Sequence, residues 1–237
     1  MKTKMRNFLM VSMAAIALCF TTTGCNDDKP SYPIDETMFD IVTLTNVNDK
    51  GFTVTTQKID DSPLVTLNIT NTKIDTTIIK VGKRFLLGYI PESGTQYLSG
   101  PVTAVAYRPI LNAKLLEGTK DEYNSWATEA QDIVSMWRTG NFINVYALAP
   151  YSQAPAKYEL VVDKETLESE VPQAYIIFKS DNVYESAPQE HYASFDISSL
   201  WQKATVRGLR ITVPGLSTPQ KTFTFSKEGN ETIQPNN

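Results

Sequence analysis

One histidine, two cysteines and 26 acidic side chains in 237 residues restrict the chemistry this chain can perform. His191 is the single imidazole, so neither a histidine-rich metal site nor a histidine pair can be assembled. A serine triad needs an imidazole between nucleophile and carboxylate, and no nucleophile-elbow motif precedes His191. That histidine reads as a strand-edge or surface residue. Carboxylates are plentiful, and glycoside hydrolysis needs two of them facing each other across roughly 5–9.5 Å. The obvious pairs, Asp60 with Asp61 and Asp121 with Glu122, are chain neighbours that point apart, and they suit a turn and a helix start. Asn46, Asn48 and Gly51 resemble part of a calcium loop, but Lys50 takes a ligand position and the closing glutamate is missing. The 11 glycines form no phosphate-cradling cluster. The sequence therefore assigns no catalytic residue, no metal ligand and no cofactor.

Cys25 is the position where chemistry is best marked. Lys2, Lys4 and Arg6 precede an apolar run over residues 8–20, and Thr21, Thr22, Thr23 and Gly24 lead into the cysteine. Thirteen apolar residues suit a signal-peptide core and fall short of the roughly 20 a membrane-spanning helix requires. A basic start, a short apolar core and a small residue directly before cysteine resemble the lipobox of bacterial lipoproteins, which implies cleavage after residue 24 and acylation of Cys25. Cys19 would leave with the signal, so the mature chain could form no internal disulfide.

Cleavage would take the formal charge from −4 to −7, because residues 1–24 hold three basic and no acidic side chains. A net negative body lacks the electrostatic footprint of nucleic-acid binding and is not drawn to anionic lipid. Its membrane partner would be reached through the N-terminal acyl chains. Residues 25–37 read as an extended tether: Pro30 and Pro33 favour polyproline II geometry, with a reach of roughly 35 Å. Asp27 and Asp28 resemble the acidic signal that sends lipoproteins of Bacteroidota to the cell exterior; a plain solvated spacer is the alternative.

Beyond the tether the chain reads as strands. Apolar or β-branched runs at 39–45, 52–57, 64–69, 85–90 and 97–107 are broken by turn residues such as Asn48 to Gly51 and Pro91 to Gly94. Five strands in about seventy residues predict a small Greek-key barrel over 38–115, with 71–83 connecting its third and fourth strands. Thr119 three before Glu122 is a capping box, and Tyr123, Trp126, Ala127 and Ala130 follow at helical spacing, which predicts a short helical linker over 116–130. Runs at 133–137, 142–148, 158–162, 175–178, 192–197, 206–213 and 222–225 predict an antiparallel β-sandwich over 131–227. Alternation of Tyr192, Ser194 and Asp196 with Ala193, Phe195 and Ile197 implies one packed face and one solvated face. Residues 228–237 form a tail without apolar period.

The order of these features resembles the NigD-like lipoproteins of Bacteroidota, over nearly the whole mature chain. The residues that carry the resemblance are Thr56 to Asp61, then Val81, Gly82, Lys83, Arg84 and Phe85 with Tyr89, then the run from Trp137 through Gly140, Phe142 and Asn144 to Val145, then Ser194 to Ile197. The resemblance implies an OB-type barrel joined to a C-terminal β-sandwich. It also implies a bacteriocin-immunity role as one reading, since the family takes its name from a bacteriocin gene cluster.

Two further features could carry function. Tyr89, Tyr97, Tyr107, Tyr146, Trp126, Trp137 and Trp201 could stack ligands on an OB surface or in a domain cleft, although their strand positions favour packing. Asp75, Thr76 and Thr77 resemble the O-glycosylation acceptor of Bacteroidota, with Thr76 as the modified residue. The sequence thus points to an all-β, non-enzymatic, outer-membrane lipoprotein. As a binding module it would take an extracellular glycan or protein ligand; an immunity-type protein is the alternative, and a two-carboxylate glycan-active enzyme comes third. No oligomeric state is assigned.

Overall fold

The computed structural model describes residues 36–58, 62–125, 131–149, 157–179, 188–213 and 221–228. Cys25, the tether up to residue 35, Asp60, Asp61, Trp126 and the tail from residue 229 lie outside them.

Five strands, β1 (Met38–Asn48), β2 (Gly51–Thr56), β3 (Val65–Ile69), β4 (Arg84–Pro91) and β5 (Gly100–Pro109), close into a barrel in the order β1-β2-β3-β5-β4. The expected runs all become strands because each places alternate apolar residues inward: Val42 and Leu44, Phe52 and Val54, Leu67 and Ile69, Phe85 and Leu87 are buried together. Within the barrel β3 and β5 pair in parallel, and residues 71–83, which connect β3 to β4, run as turns with Ile74 and Ile79 buried. Asn71 anchors that connection: its amide nitrogen donates to the Ala104 carbonyl at 2.8 Å and its amide oxygen accepts from the Ala104 N–H at 2.9 Å.

The chain then enters a sandwich. One sheet runs β14-β13-β11-β10-β7, from β7 (Leu116–Gly118), β10 (Lys157–Asp163), β11 (Gln173–Lys179), β13 (Gly208–Val213) and β14 (Lys221–Ser226). The other runs β6-β12-β9-β8, from β6 (Leu111–Lys114), β8 (Asp132–Thr139), β9 (Phe142–Ala149) and β12 (Gln189–Asp196). Between them Leu160, Ile176, Ile211, Val145 and Phe195 are buried, and Tyr158 sits edge-on to both Phe178 and Phe195, at 5.8 and 5.7 Å. A four-residue helix, α1 (Ser198–Trp201), closes this core with Leu200 and Trp201, and the Ser198 N–H is taken by the Asp196 carboxylate at 2.9 Å.

The structure corrects three expectations. The sandwich is mixed: β6 with β12, β7 with β10 and β11 with β13 are parallel pairs. The chain leaves β11 for the other sheet as β12 and returns in its original direction as β13, and residue alternation carries no record of strand direction. Residues 111–114 and 116–118, expected in the barrel and the helical linker, are strands of the two sandwich sheets. Leu116 and Glu117 pair instead with Val161 and Val162 of β10.

The capping box itself forms, with the Thr119 N–H donating to Glu122 at 2.8 Å and the Glu122 N–H to the Thr119 hydroxyl at 3.4 Å. The described part of the predicted helix is nevertheless a turn, which ends in two left-handed residues, Asn124 (φ 47°) and Ser125 (φ 59°). Its Tyr123 lies on Val161 and Ile177, the outward face of β10 and β11.

Gly51 opens β2 with φ 151°, and a Cβ there would collide with the Ile69 carbonyl of β3. Gly51→Ala should therefore lower the unfolding free energy by about 2–4 kcal/mol in urea titration. An unchanged midpoint would show that the hairpin relaxes freely.

Candidate functional site

The barrel and sandwich meet through a chain of buried polar contacts. Arg84, the first residue of β4, is 5% exposed. Its Nη2 donates to the Ile41 carbonyl of β1 at 3.0 Å and to the Thr139 hydroxyl of β8 at 3.2 Å, and its guanidinium lies 4.4 Å from the centre of the Phe142 ring. Thr139 Oγ1 also accepts from Asn144 Nδ2 at 3.0 Å, and Asn144 Oδ1 accepts from the Ser194 hydroxyl at 3.0 Å. Burial, without a carboxylate to offset it, lowers the Arg84 pKa to about 10. The backbone of Arg84 is held as well, because Asn112 of β6 accepts its N–H at 2.7 Å and donates to its carbonyl at 2.8 Å.

A second tie is more exposed. Arg108 of β5 stacks on Tyr192 of β12 at 4.5 Å, and Tyr192 stacks on Tyr146 of β9 at 4.6 Å and 11°. Glu190 joins the layers by accepting from Arg108 Nη2 at 3.2 Å and from the Tyr146 hydroxyl at 2.8 Å. The outer face of β12, expected to be solvated, is therefore turned to the barrel.

Between these ties runs a groove of two adjoining hollows, of about 500 and 400 Å³, that share Phe39, Leu86 and Tyr192. The larger is lined by Asp40, Gln57, Tyr97, Ser135, Trp137 and Tyr146 among others, the smaller by Tyr107, Arg108 and Glu190. Phe39 stands 60% exposed on the outer face of β1 and is paired with Gly88 of β4; a Cβ on Gly88 would lie 2.8 Å from the ring. Asp40, on the opposite face of the strand, accepts from Tyr89 at 2.7 Å, Tyr97 at 3.0 Å and Gln96 at 3.4 Å. Tyr89, buried beside that carboxylate, has its phenol pushed far up, with desolvation the first cause.

The aromatic residues singled out by sequence divide accordingly. Tyr97, Tyr107, Tyr146 and Trp137 line the groove, whereas Tyr89 and Trp201 are packed into the barrel and sandwich cores. Phe39, Tyr192, Arg108 and Glu190 were not foreseen. Alternation does mark Phe39, since it and Ile41 are apolar on the face opposite Val42 and Leu44. The contact of Arg108 with Tyr192 joins two domains and has no local signal. The groove does hold two carboxylates, but the oxygens of each already accept from tyrosine, glutamine or arginine donors. Thr76 is exposed in a turn in which Asp75 accepts from the Thr77 N–H at 2.8 Å and the Thr77 hydroxyl at 2.6 Å. Asp121 and Glu122 belong to the capping turn, Lys164 pairing with Glu122 at 3.3 Å. Among the described residues no three acidic, histidine or cysteine side chains are grouped to hold a metal.

Solved structures share this fold. A protein of unknown function from Bacteroides vulgatus superposes with a TM-score of 0.66 at 15% identity, over 85% of this chain and 96% of that one. A candidate lipoprotein from Bacteroides fragilis gives 0.58 at 14% identity, over 80% and 97%. A NigD-like immunity protein from Bacteroides caccae gives 0.54 at 16% identity, over 81% and 89%. The resemblance drawn from sequence motifs is thus met at the level of the fold. No family model matches the chain, and the comparison with curated proteins gives no significant match.

His191 sits at the rim of the sandwich core, its ring 6.2 Å from Phe178 and its Nε2 buried without a partner among the described residues. Burial first, and Arg108 second, hold its pKa below the ordinary 6.5. The unfolded chain therefore takes up a proton before the folded one, and stability is lost as pH falls through 6.5. Unfolding free energies measured from about pH 7.5 to about 5.5 should fall in the wild type and fall less in His191→Gln. Equal slopes would remove His191 from the pH response.

Proposed function

We propose that this chain is an envelope lipoprotein, anchored by acyl chains on Cys25, that works as a non-catalytic binding module through the groove between barrel and sandwich. The observation that carries the binding role is the partly exposed aromatic lining of that groove, with Phe39 at 60% exposure lying against Gly88. An exposed ring that continues a row of aromatic side chains along a groove serves contact with a ligand. Envelope attachment is supported by the lipobox and by the like fold of a candidate lipoprotein from Bacteroides fragilis. Residues 25–37 serve as the tether, and exposed Thr76 is open to glycosylation at the tip of its turn. The negative net charge of −4, or −7 after cleavage, argues against a nucleic-acid partner.

The non-catalytic reading rests on how Asp40 and Glu190 are used. Each is already engaged in a structural contact, Asp40 with Tyr89, Tyr97 and Gln96 and Glu190 with Tyr146 and Arg108. A second reading, immunity to a bacteriocin at the envelope, is favoured by the like fold of the NigD-like immunity protein. A deletion strain with unchanged sensitivity across envelope-active bacteriocins would reject it.

Labelling cells with a palmitate analogue should mark the wild type and leave Cys25→Ala unmarked and soluble. Label that persists in Cys25→Ala, or a soluble wild type, would refute the anchor. Protease treatment of intact cells should degrade the wild type if the body faces outward, and protection until the outer membrane is opened would place it in the periplasm.

A further inference from the structure

The chemistry of the groove restricts what can occupy it. Its apolar lining combines rings, Phe39 and Tyr97 on the barrel side and Trp137, Tyr146 and Tyr192 on the sandwich side, with the aliphatic side chains of Ile41, Leu86 and Met136. Two of these rings are held before any ligand arrives, Tyr97 by its hydrogen bond to Asp40 and Tyr146 by its stack on Tyr192 and its bond to Glu190, while Phe39 lies against Gly88. Among the rings stand uncharged polar side chains, Gln57, Ser135 and Thr56, and the Asp40 carboxylate, which retains acceptor capacity beyond its three donors. The single cation among the described lining residues, Arg108, is already paired with Glu190 and stacked on Tyr192.

A phosphate or carboxylate ligand would find Arg108 already paired and would face Asp40; the other cations nearby are Lys58, over the Tyr97 ring, and Arg84, buried behind Thr139. A purely apolar ligand would cover Asp40, Gln57 and Ser135 while offering them no hydrogen bond. A ligand that suits the lining has flat C–H faces for the rings, a rim of hydroxyls for the acceptors and amide, and no charge.

We infer that the groove is a binding site for a neutral saccharide, stacked against Phe39 and Trp137 with its hydroxyls directed to Asp40, Gln57 and Ser135. This rests on the reading of the groove as the binding site and adds the ligand class. Each hollow falls in the roughly 300–1,000 Å³ range of small-ligand sites, and the two adjoin at Phe39, Leu86 and Tyr192.

The test uses the whole mature chain in native affinity electrophoresis against mannan, xylan, laminarin and heparin, with tryptophan fluorescence against deca-proline as a probe of aromatic peptide grooves. At least one of the three neutral polysaccharides should retard the wild type. Phe39→Ala and Trp137→Ala should each weaken that retardation about tenfold or more. Melting of Phe39→Ala should match wild type, since the side chain it removes is largely exposed.

Retardation that both variants keep in full would put saccharide binding elsewhere and overturn the inference together with the reading of the groove. Phe39-dependent retardation by heparin alone would overturn the neutral class. If no polysaccharide binds while deca-proline changes the fluorescence in a Phe39-dependent way, the saccharide falls and the groove remains a binding site. Silence from every probe overturns both.

Discussion

A single buried guanidinium determines how the two halves of this molecule meet. Arg84 has no carboxylate partner, and its desolvation is enough to lower its pKa to about 10, so it remains charged at neutral pH. That cost is offset only in part, by the Ile41 carbonyl on one side, the Thr139 hydroxyl on the other and the face of Phe142, while Nε and Nη1 stay buried without a partner among the described residues. Hydrogen bonds to a charged group contribute about 1.5–3 kcal/mol each, and a cation over a desolvated ring about 2 kcal/mol. Barrel and sandwich are thereby held in one register, and the walls of the groove are set before a ligand arrives.

The network extends inward from that point. Thr139 is shared between Arg84 and Asn144, and Asn144 in turn takes the Ser194 hydroxyl, so one line of donors and acceptors runs from β1 of the barrel to the middle of a sandwich sheet. The outer tie of Arg108, Glu190, Tyr146 and Tyr192 is of another kind. Its ion pair is about half exposed, and such pairs give roughly 0.2–1 kcal/mol. It orients the rings of the groove, while the inner network supplies the adhesion between domains.

Strands were legible wherever apolar residues alternate, as in Val42 and Leu44 or Ala193 and Phe195, because burial on one face leaves its period in the chain. Direction was not legible: the parallel return of β13 beside β11 depends on which sheet the intervening strand joins. Residues 116–118 were misread because a three-residue strand is too short to show a period, and α1, four residues long, was missed for the same reason. Arg84, Asn144 and Ser194 all stood within the motifs that carried the family resemblance, yet their convergence on Thr139 required the fold. Of the groove, Trp137, Tyr97, Tyr107 and Tyr146 were foreseen as stacking residues. Phe39 left a signal in the alternation of β1, whereas Glu190 and Arg108 come together only through docking of the two domains.

Differential scanning calorimetry of the wild type beside Arg84→Ala tests the domain tie most directly. If Arg84 couples the halves, the wild type melts in one transition and the variant in two, as barrel and sandwich unfold separately. A variant that melts in one transition at the wild-type temperature would contradict the account and assign the coupling to other contacts.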